Sequence, residues 1–208
     1  MHRHQRSSSL RELFIYVFSL VCIIFCINAV NYVKIKQAVK VLPPIPSIYE
    51  PVRFVFYSYP DNSISARFWF YDVSGKEIGS YERSWPGYAL ALEIQHLITP
   101  HTQVSFPVRV NNMDTFGRIT SGGTLISKYF FKNNEAVLFS SAIKDLSSSE
   151  SASISFLGRF IVDNSVLNTP FYLFKDRFVK TQLLSLEGCE MGVFYSVRCS
   201  QGNAVIIR

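Results

Sequence analysis

The sequence predicts a mainly β protein, an antiparallel β-sandwich or open barrel following one N-terminal transmembrane helix. Three observations carry this. One uncharged apolar stretch lies near the N-terminus, from Phe14 to Val33. Most of the remaining chain alternates apolar and polar residues with period two, the mark of half-buried strands. Turn residues interrupt those runs at short intervals. The chain has 208 residues, 48% hydrophobic and 15% aromatic. That is too apolar for disorder, and it excludes collagen, a coiled coil and a cysteine-dense scaffold.

Residues 1–13 form a short leader. Residues 14–33 read FIYVFSLVCIIFCINAVNYV, 20 residues without a charge, enough to cross a hydrocarbon core of about 30 Å as a helix. The bilayer is therefore the first expected partner. Tyr16 and Tyr32 stand near the two ends, where amphipathic rings favour the interface. Asn28 and Asn31 lie toward the C-terminal end, either at headgroup depth or in contact with a partner helix. A cleaved, exported form is the alternative, with Arg3, Arg6 and Arg11 as a positive leader. Ile27-Asn28-Ala29 departs from the small-x-small cleavage pattern. Neither Cys22 after Val21 nor Cys26 after Phe25 fits a lipoprotein site. The flanking charges nearly balance. A short leader before the span and a whole domain after it argue for a cytoplasmic N-terminus and an extracytoplasmic domain.

Residues 34–52 are expected to hold the end of the helix and a stalk. Leu42-Pro43-Pro44-Ile45-Pro46 stops the helix, because proline lacks the backbone donor and restricts the residue before it, and it acts as a short stiff spacer. Residues 53–208 form the β-domain. The first strand is Arg53–Tyr59, and residues 66–83 read as a hairpin turning at Val73-Ser74-Gly75-Lys76. Tyr88–His96 suits strand or helix, and strand is preferred by its neighbours. Further strands are expected over Gln103–Val110, Thr124–Phe131, Ala136–Ile143, Ser153–Val162, Phe171–Val179, Gln182–Leu186, Val193–Cys199 and Ala204–Ile207. The polar run Ser147–Ser151 reads as a loop.

Charge separates the parts. The chain carries 21 Lys+Arg against 15 Asp+Glu. Residues 1–40 hold six of those bases and one acid, leaving 15 against 14 for the rest. A nearly neutral domain argues against nucleic acid as a partner. The four cysteines divide as well. Cys22 and Cys26 lie in the span as apolar filler. Cys189 and Cys199 are spaced for two neighbouring strands of a hairpin and are expected to form a disulfide in an exported domain.

No motif points firmly to catalysis. Gly117 to Thr124 has the glycine spacing of a phosphate loop, but Gly123 occupies the lysine position, so no nucleotide is expected. His96 and His101 match no zinc spacing, and no metal or cofactor is expected. Ser141-Ala142-Ile143-Lys144 matches S-x-x-K, but neither S-D-N nor K-T-G accompanies it. Ile45-Pro46-Ser47 after the span resembles the start of the serine motif of bacterial type I signal peptidases. There the match ends, with Ile48-Tyr49-Glu50 where the nucleophile would follow. A membrane-tethered Ser/Lys hydrolase is the alternative function. Trp69 and Trp85 are candidate exposed aromatic contacts, with a structural role as the competing reading.

Tyr71-Asp72-Val73-Ser74-Gly75-Lys76 followed by Glu82-Arg83-Ser84-Trp85 resembles a pattern in uncharacterised membrane-anchored envelope proteins of treponemal type. The resemblance covers under a tenth of the chain. It implies a bacterial envelope location, hence an inner-membrane single-pass protein with a periplasmic domain, and no activity. The expected function is a binding or assembly module that contacts an envelope protein or a glycan.

Overall fold

The computed structural model describes residues 3–42, 45–58, 63–98, 103–120, 123–132, 135–139, 147–164, 178–200 and 202–208. Its first element is one long helix, α1 (Arg3–Val41). From Arg11 to Ile27 every side chain but Ile24 is exposed. Beyond that the helix joins the domain. Ile35 and Ala38 are buried in the hydrophobic core, and Val39, Val41, Leu42 and Ile45 pack against it. The expected stalk is therefore not a spacer. Pro43 and Pro44 lie outside the described residues, but Ile45 on their far side touches the core. The first strand, β1 (Ile48–Ser58), begins inside the stretch assigned to the stalk.

Two antiparallel sheets follow. β1, β2 (Ser63–Tyr71), β3 (Glu77–Pro86), β10 (Phe194–Ser200) and β11 (Asn203–Ile207) form a five-stranded sheet in the order β11-β10-β1-β2-β3. β4 (Ala89–Ile98), β5 (Gln103–Met113), β6 (Thr124–Leu125) and β9 (Val179–Ser185) form a four-stranded sheet in the order β6-β5-β4-β9. A small pair, β7 (Phe131–Lys132) and β8 (Glu135–Ala136), stands apart. Two separate sheets make this a sandwich rather than a barrel.

Period-two patterning decides which face of each strand is buried. In β2 the buried residues are Ile64, Ala66, Phe68 and Phe70, and Ser65, Arg67 and Trp69 alternate with them. The hairpin lies where it is expected, with Phe68 opposite Tyr81. Its turn is built by Asp72, whose Oδ1 accepts from the Ser74 N–H at 2.9 Å, the Ser74 hydroxyl at 2.7 Å and the Lys76 N–H at 2.9 Å. Gly75 completes it at φ +84°, a conformation that costs glycine nothing. β4 is a strand, and both it and β5 are buried on both faces. One core cluster spans both sheets and includes Phe54, Phe56, Phe68, Phe70, Leu92, Ile94, Phe106 and Val108. The rings meet edge-on or offset, Phe54 with Phe56 at 5.5 Å and Phe68 with Trp85 at 5.7 Å, the geometries that aromatic quadrupoles favour.

Three expected strands differ. Ser153–Val162 belongs to a helix, α2 (Ser148–Asn164), which takes in most of the expected Ser147–Ser151 loop. A capping contact stands at the foot of α2. The Glu150 carboxylate accepts from the Ser147 N–H at 2.8 Å and from its hydroxyl at 2.7 Å, an arrangement that satisfies donors at a helix start. These bonds hold the Glu150 carboxyl below its ordinary value. Ile154 and Leu157, three apart, form the buried stripe. Thr124–Phe131 is broken by a single turn of 3-10 helix at Ser127–Tyr129. Ala136–Ile143 is likewise broken, by a second such turn at Val137–Phe139, and its residues 140–143 lie outside the described residues, as do residues 171–177 of the expected strand Phe171–Val179.

Candidate functional site

The outer face of the five-stranded sheet carries a cluster of half-buried and exposed aromatic and charged side chains, with Arg67, Trp69 and Tyr71 half-buried and Arg53 and Phe194 exposed. Strand alternation builds it. Arg67, Trp69 and Tyr71 stand at successive outward positions of β2, and Arg53 of β1 is opposite Trp69. The Arg67 guanidinium lies 4.9 Å from the Trp69 ring centroid, and that of Arg53 lies 5.2 Å from Tyr71. Phe194 of β10 packs against Trp69 with centroids 5.8 Å apart. Val55, opposite both Arg67 and Phe194, is only 2% exposed beneath them. Phe194 itself is 63% exposed, with Tyr57, Met191 and Val205 also exposed. The cations are held at the rim. Arg67 pairs with Glu82 at 3.9 Å, and Arg53 and Arg198 reach Glu50 at 3.8 and 3.2 Å. These pairs are open to water and add little stability. They do fix which way the guanidinium planes face.

Of the two candidate tryptophans, only Trp69 belongs to this face. Trp85 is 2% exposed, which corrects its reading as an exposed contact. It sits on the inner face of β3, edge-on to Phe68 and Tyr81, and its Nε1–H donates to Thr124 Oγ1 at 3.0 Å. A turn-side Trp whose N–H finds a partner is a core residue.

The disulfide is also corrected. Cys189 and Cys199 are both thiols. β9 and β10 are not a hairpin, because they lie in different sheets. Met191, two residues after Cys189, bridges to Phe56, whereas Cys199 pairs with Tyr49. Those positions are seven residues apart along β1, roughly 20 Å at the rise of a strand. A disulfide needs Cα atoms within about 7 Å. Burial raises both thiol pKa values, that of Cys199 to about 12, so neither is an activated nucleophile.

Within the sandwich, β4, β5 and β9 bring together a polar cluster that spacing did not reveal. His96 is fully buried. Its Nδ1 lies 2.7 Å from Ser105 Oγ and its Nε2 lies 2.8 Å from Gln182 Oε1. The Gln182 amide is itself fixed, accepting from the Ala204 N–H at 3.0 Å and donating to the Ala204 carbonyl at 2.9 Å. His96 therefore donates from Nε2 and accepts at Nδ1 from the Ser105 hydroxyl. The Tyr49 hydroxyl bonds both the Ser105 N–H and its carbonyl. Burial pulls the His96 pKa down and pushes Tyr49 up. The Ser–His geometry resembles that of a nucleophile and its base. Ser105 is nevertheless 2% exposed and His96 wholly enclosed, so no substrate reaches them in this conformation. The cluster ties the two sheets together.

Asn28 is 2% exposed, and its side-chain N–H donates to the Ile24 carbonyl at 2.8 Å. Asn31 is half-buried. Both lie where α1 meets the domain. Gly123, in the lysine position of the phosphate-loop spacing, packs on β5; a Cβ there would lie 2.3 Å from the Val110 carbonyl oxygen. Close backbone approach accounts for that glycine. Ser141, Lys144 and His101 lie outside the described residues. Sequence reasoning missed Arg53, Arg67 and Phe194. The signal for Arg67 was available, since it shares the outward parity of Trp69. Phe194 had none, because its place beside Trp69 depends on β10 pairing with β1. No family model, curated protein or solved structure matches this chain.

Proposed function

We propose that this chain is a single-pass protein of a bacterial inner membrane whose periplasmic β-domain is a binding or assembly module for another envelope protein. One observation carries the reading. α1 passes without a break from an exposed apolar stretch into the core of the β-domain. An apolar cylinder exposed on all sides calls for lipid or another protein around it. A domain fused to it through buried Ile35 and Ala38 is held at the membrane at fixed height. The docking surface is the outer face of the five-stranded sheet. Trp, Tyr and Arg are the residues that dominate protein–protein hot spots. The Trp69 ring is already engaged by Arg67 and Phe194, which favours a protein over a sugar that would need a bare ring face.

The test joins topology to contact. Met191→Cys, exposed in the connection between β9 and β10, is labelled with a membrane-impermeant maleimide in cells with the outer membrane opened and the inner membrane intact. Labelling supports the orientation, and labelling only after inner-membrane lysis overturns it. A photo-crosslinking amino acid at Phe194 is then compared with one at Phe116, 81% exposed elsewhere. The module reading requires a discrete adduct at 194 that Arg67→Ala weakens and that is absent at 116. Equal adducts at both positions, or none, refute this face as the docking surface.

A further inference from the structure

We infer that the membrane-proximal end of the domain, at Phe156 of α2 and at Phe178 before β9, is a lipid-contacting surface seated in the interfacial layer of the bilayer. This rests on the reading of α1 as a membrane anchor.

The argument is one of length. Leu13 to Ile27 is the uncharged part of α1 that stands free of the domain. Its fifteen residues rise about 1.5 Å each and cover about 22 Å. A bilayer core is about 30 Å thick. The missing 8 Å corresponds to Asn28–Val33, the remaining uncharged residues. There α1 is no longer free on all sides. Asn28 is 2% exposed, and the Tyr32 ring lies 5.5 Å from Phe178. Val30 and Val33, on other faces of the same turns, remain 52% and 51% exposed. Lowering Leu13–Val33 into hydrocarbon therefore carries the covered face in with it. Raising the domain clear of lipid would draw Arg11 and Glu12 into the hydrocarbon at the other end, where charged side chains are disfavoured. Tilting shortens the reach of the helix and widens the shortfall.

The side chains at that level have interfacial chemistry. The Lys34 Nζ lies 5.4 Å from the Phe156 ring centroid, and the Lys36 Nζ lies 5.5 Å from that of Tyr32. Lysines snorkel toward headgroup phosphates while their stems and the neighbouring rings stay with acyl chain. Phe156 and Phe178 are both half-buried, so each keeps ring surface for lipid. The first methylenes of the acyl chains meet these rings, and the phosphates meet Lys34 and Lys36.

The unmodified full chain tests this in vesicles of phosphatidylcholine and phosphatidylglycerol. Each preparation contains a photoactivatable phospholipid with a diazirine either at the acyl terminus or near the acyl carbonyl, and adducts are mapped by mass spectrometry. The expected result is deep-probe adducts on residues 13–27 and shallow-probe adducts at Phe156 and Phe178, several-fold above those at Phe194. Adducts on 13–27 with Phe156 and Phe178 no higher than Phe194 would overturn the seated domain and leave the anchor standing. No deep adducts on 13–27 would overturn the anchor, and the inference with it.

Discussion

Gln182→Ala should unlatch the edge where the two sheets meet. Gln182 stands on β9, an edge strand of one sheet, and bonds Ala204 on β11, an edge strand of the other. Its amide gives β11 the donor and acceptor that a neighbouring strand would otherwise supply. The substitution leaves three groups without that partner: the Ala204 N–H, the Ala204 carbonyl and the His96 Nε2–H. Ala204 is 1% exposed and His96 fully buried. Each orphaned group costs about 1–3 kcal/mol if it stays dry. Gln182 is itself only half-buried, so the space it vacates admits water and the low end applies, about 3 kcal/mol in total. For a chain of this size that lowers the thermal midpoint by roughly 6–12 °C. The assay is unfolding of the full chain in detergent, followed by circular dichroism of the β-sheet signal. The denaturant slope should not change, because the same surface is exposed on unfolding. A loss under about 0.5 kcal/mol would show that these bonds do not hold the edge, and the latch argument would fail.

His96 makes stability depend on pH. Its folded pKa lies below the ordinary 6.5 because burial opposes the charge, with Lys180 adding to the effect and the bond to Gln182 opposing it. The unfolded chain therefore takes up the proton first, so stability is full above about pH 6.5 and falls as the pH drops toward the folded pKa. Chemical denaturation at pH 7.5 and pH 5.5 checks this, and equal midpoints with a His96 ring resonance that titrates at its ordinary value would refute it. Trp85→Phe keeps an aromatic ring but removes the bond to Thr124 and leaves part of the buried indole's space empty, and should cost at least about 1–2 kcal/mol in the same unfolding assay. The full chain run with and without reductant should show one mobility. Cys199 should react with a maleimide at neutral pH only once the protein is denatured, and a Cys189–Cys199 bridge found by mass spectrometry would contradict the strand order.

Much of the fold was legible because the responsible forces act locally. Twenty uncharged, mostly apolar residues from Phe14 to Val33 have one simple local solution, a helix that satisfies its own backbone groups. The alternation from Ile64 to Phe70 places one face inside whichever sheet β2 joins, and Asp72 with Gly75 writes the hairpin turn into five residues. α2 was misread because Ser153–Val162 alternates loosely, and its true signal, Ser147 with Glu150 three residues on, lies in a run that looks like polar linker. The aromatic face was half legible: Trp69 could be named, whereas Phe194 could not.

The sequence by itself determined an apolar helix, a β-rich domain and the inward and outward faces of most strands, because periodicity and turn chemistry depend on near neighbours along the chain. Only the tertiary structure decided which strands meet. Placing β10 beside β1 sets Cys199 far from Cys189 and brings Phe194 onto Trp69, and packing the second sheet against β3 moves Trp85 indoors, onto Thr124 of β6. Pairing of β4 with β5 and β9 gives His96 its partners, 9 and 86 residues away. Those outcomes follow from closing one core between two sheets, and such long-range pairings leave no pattern in local spacing.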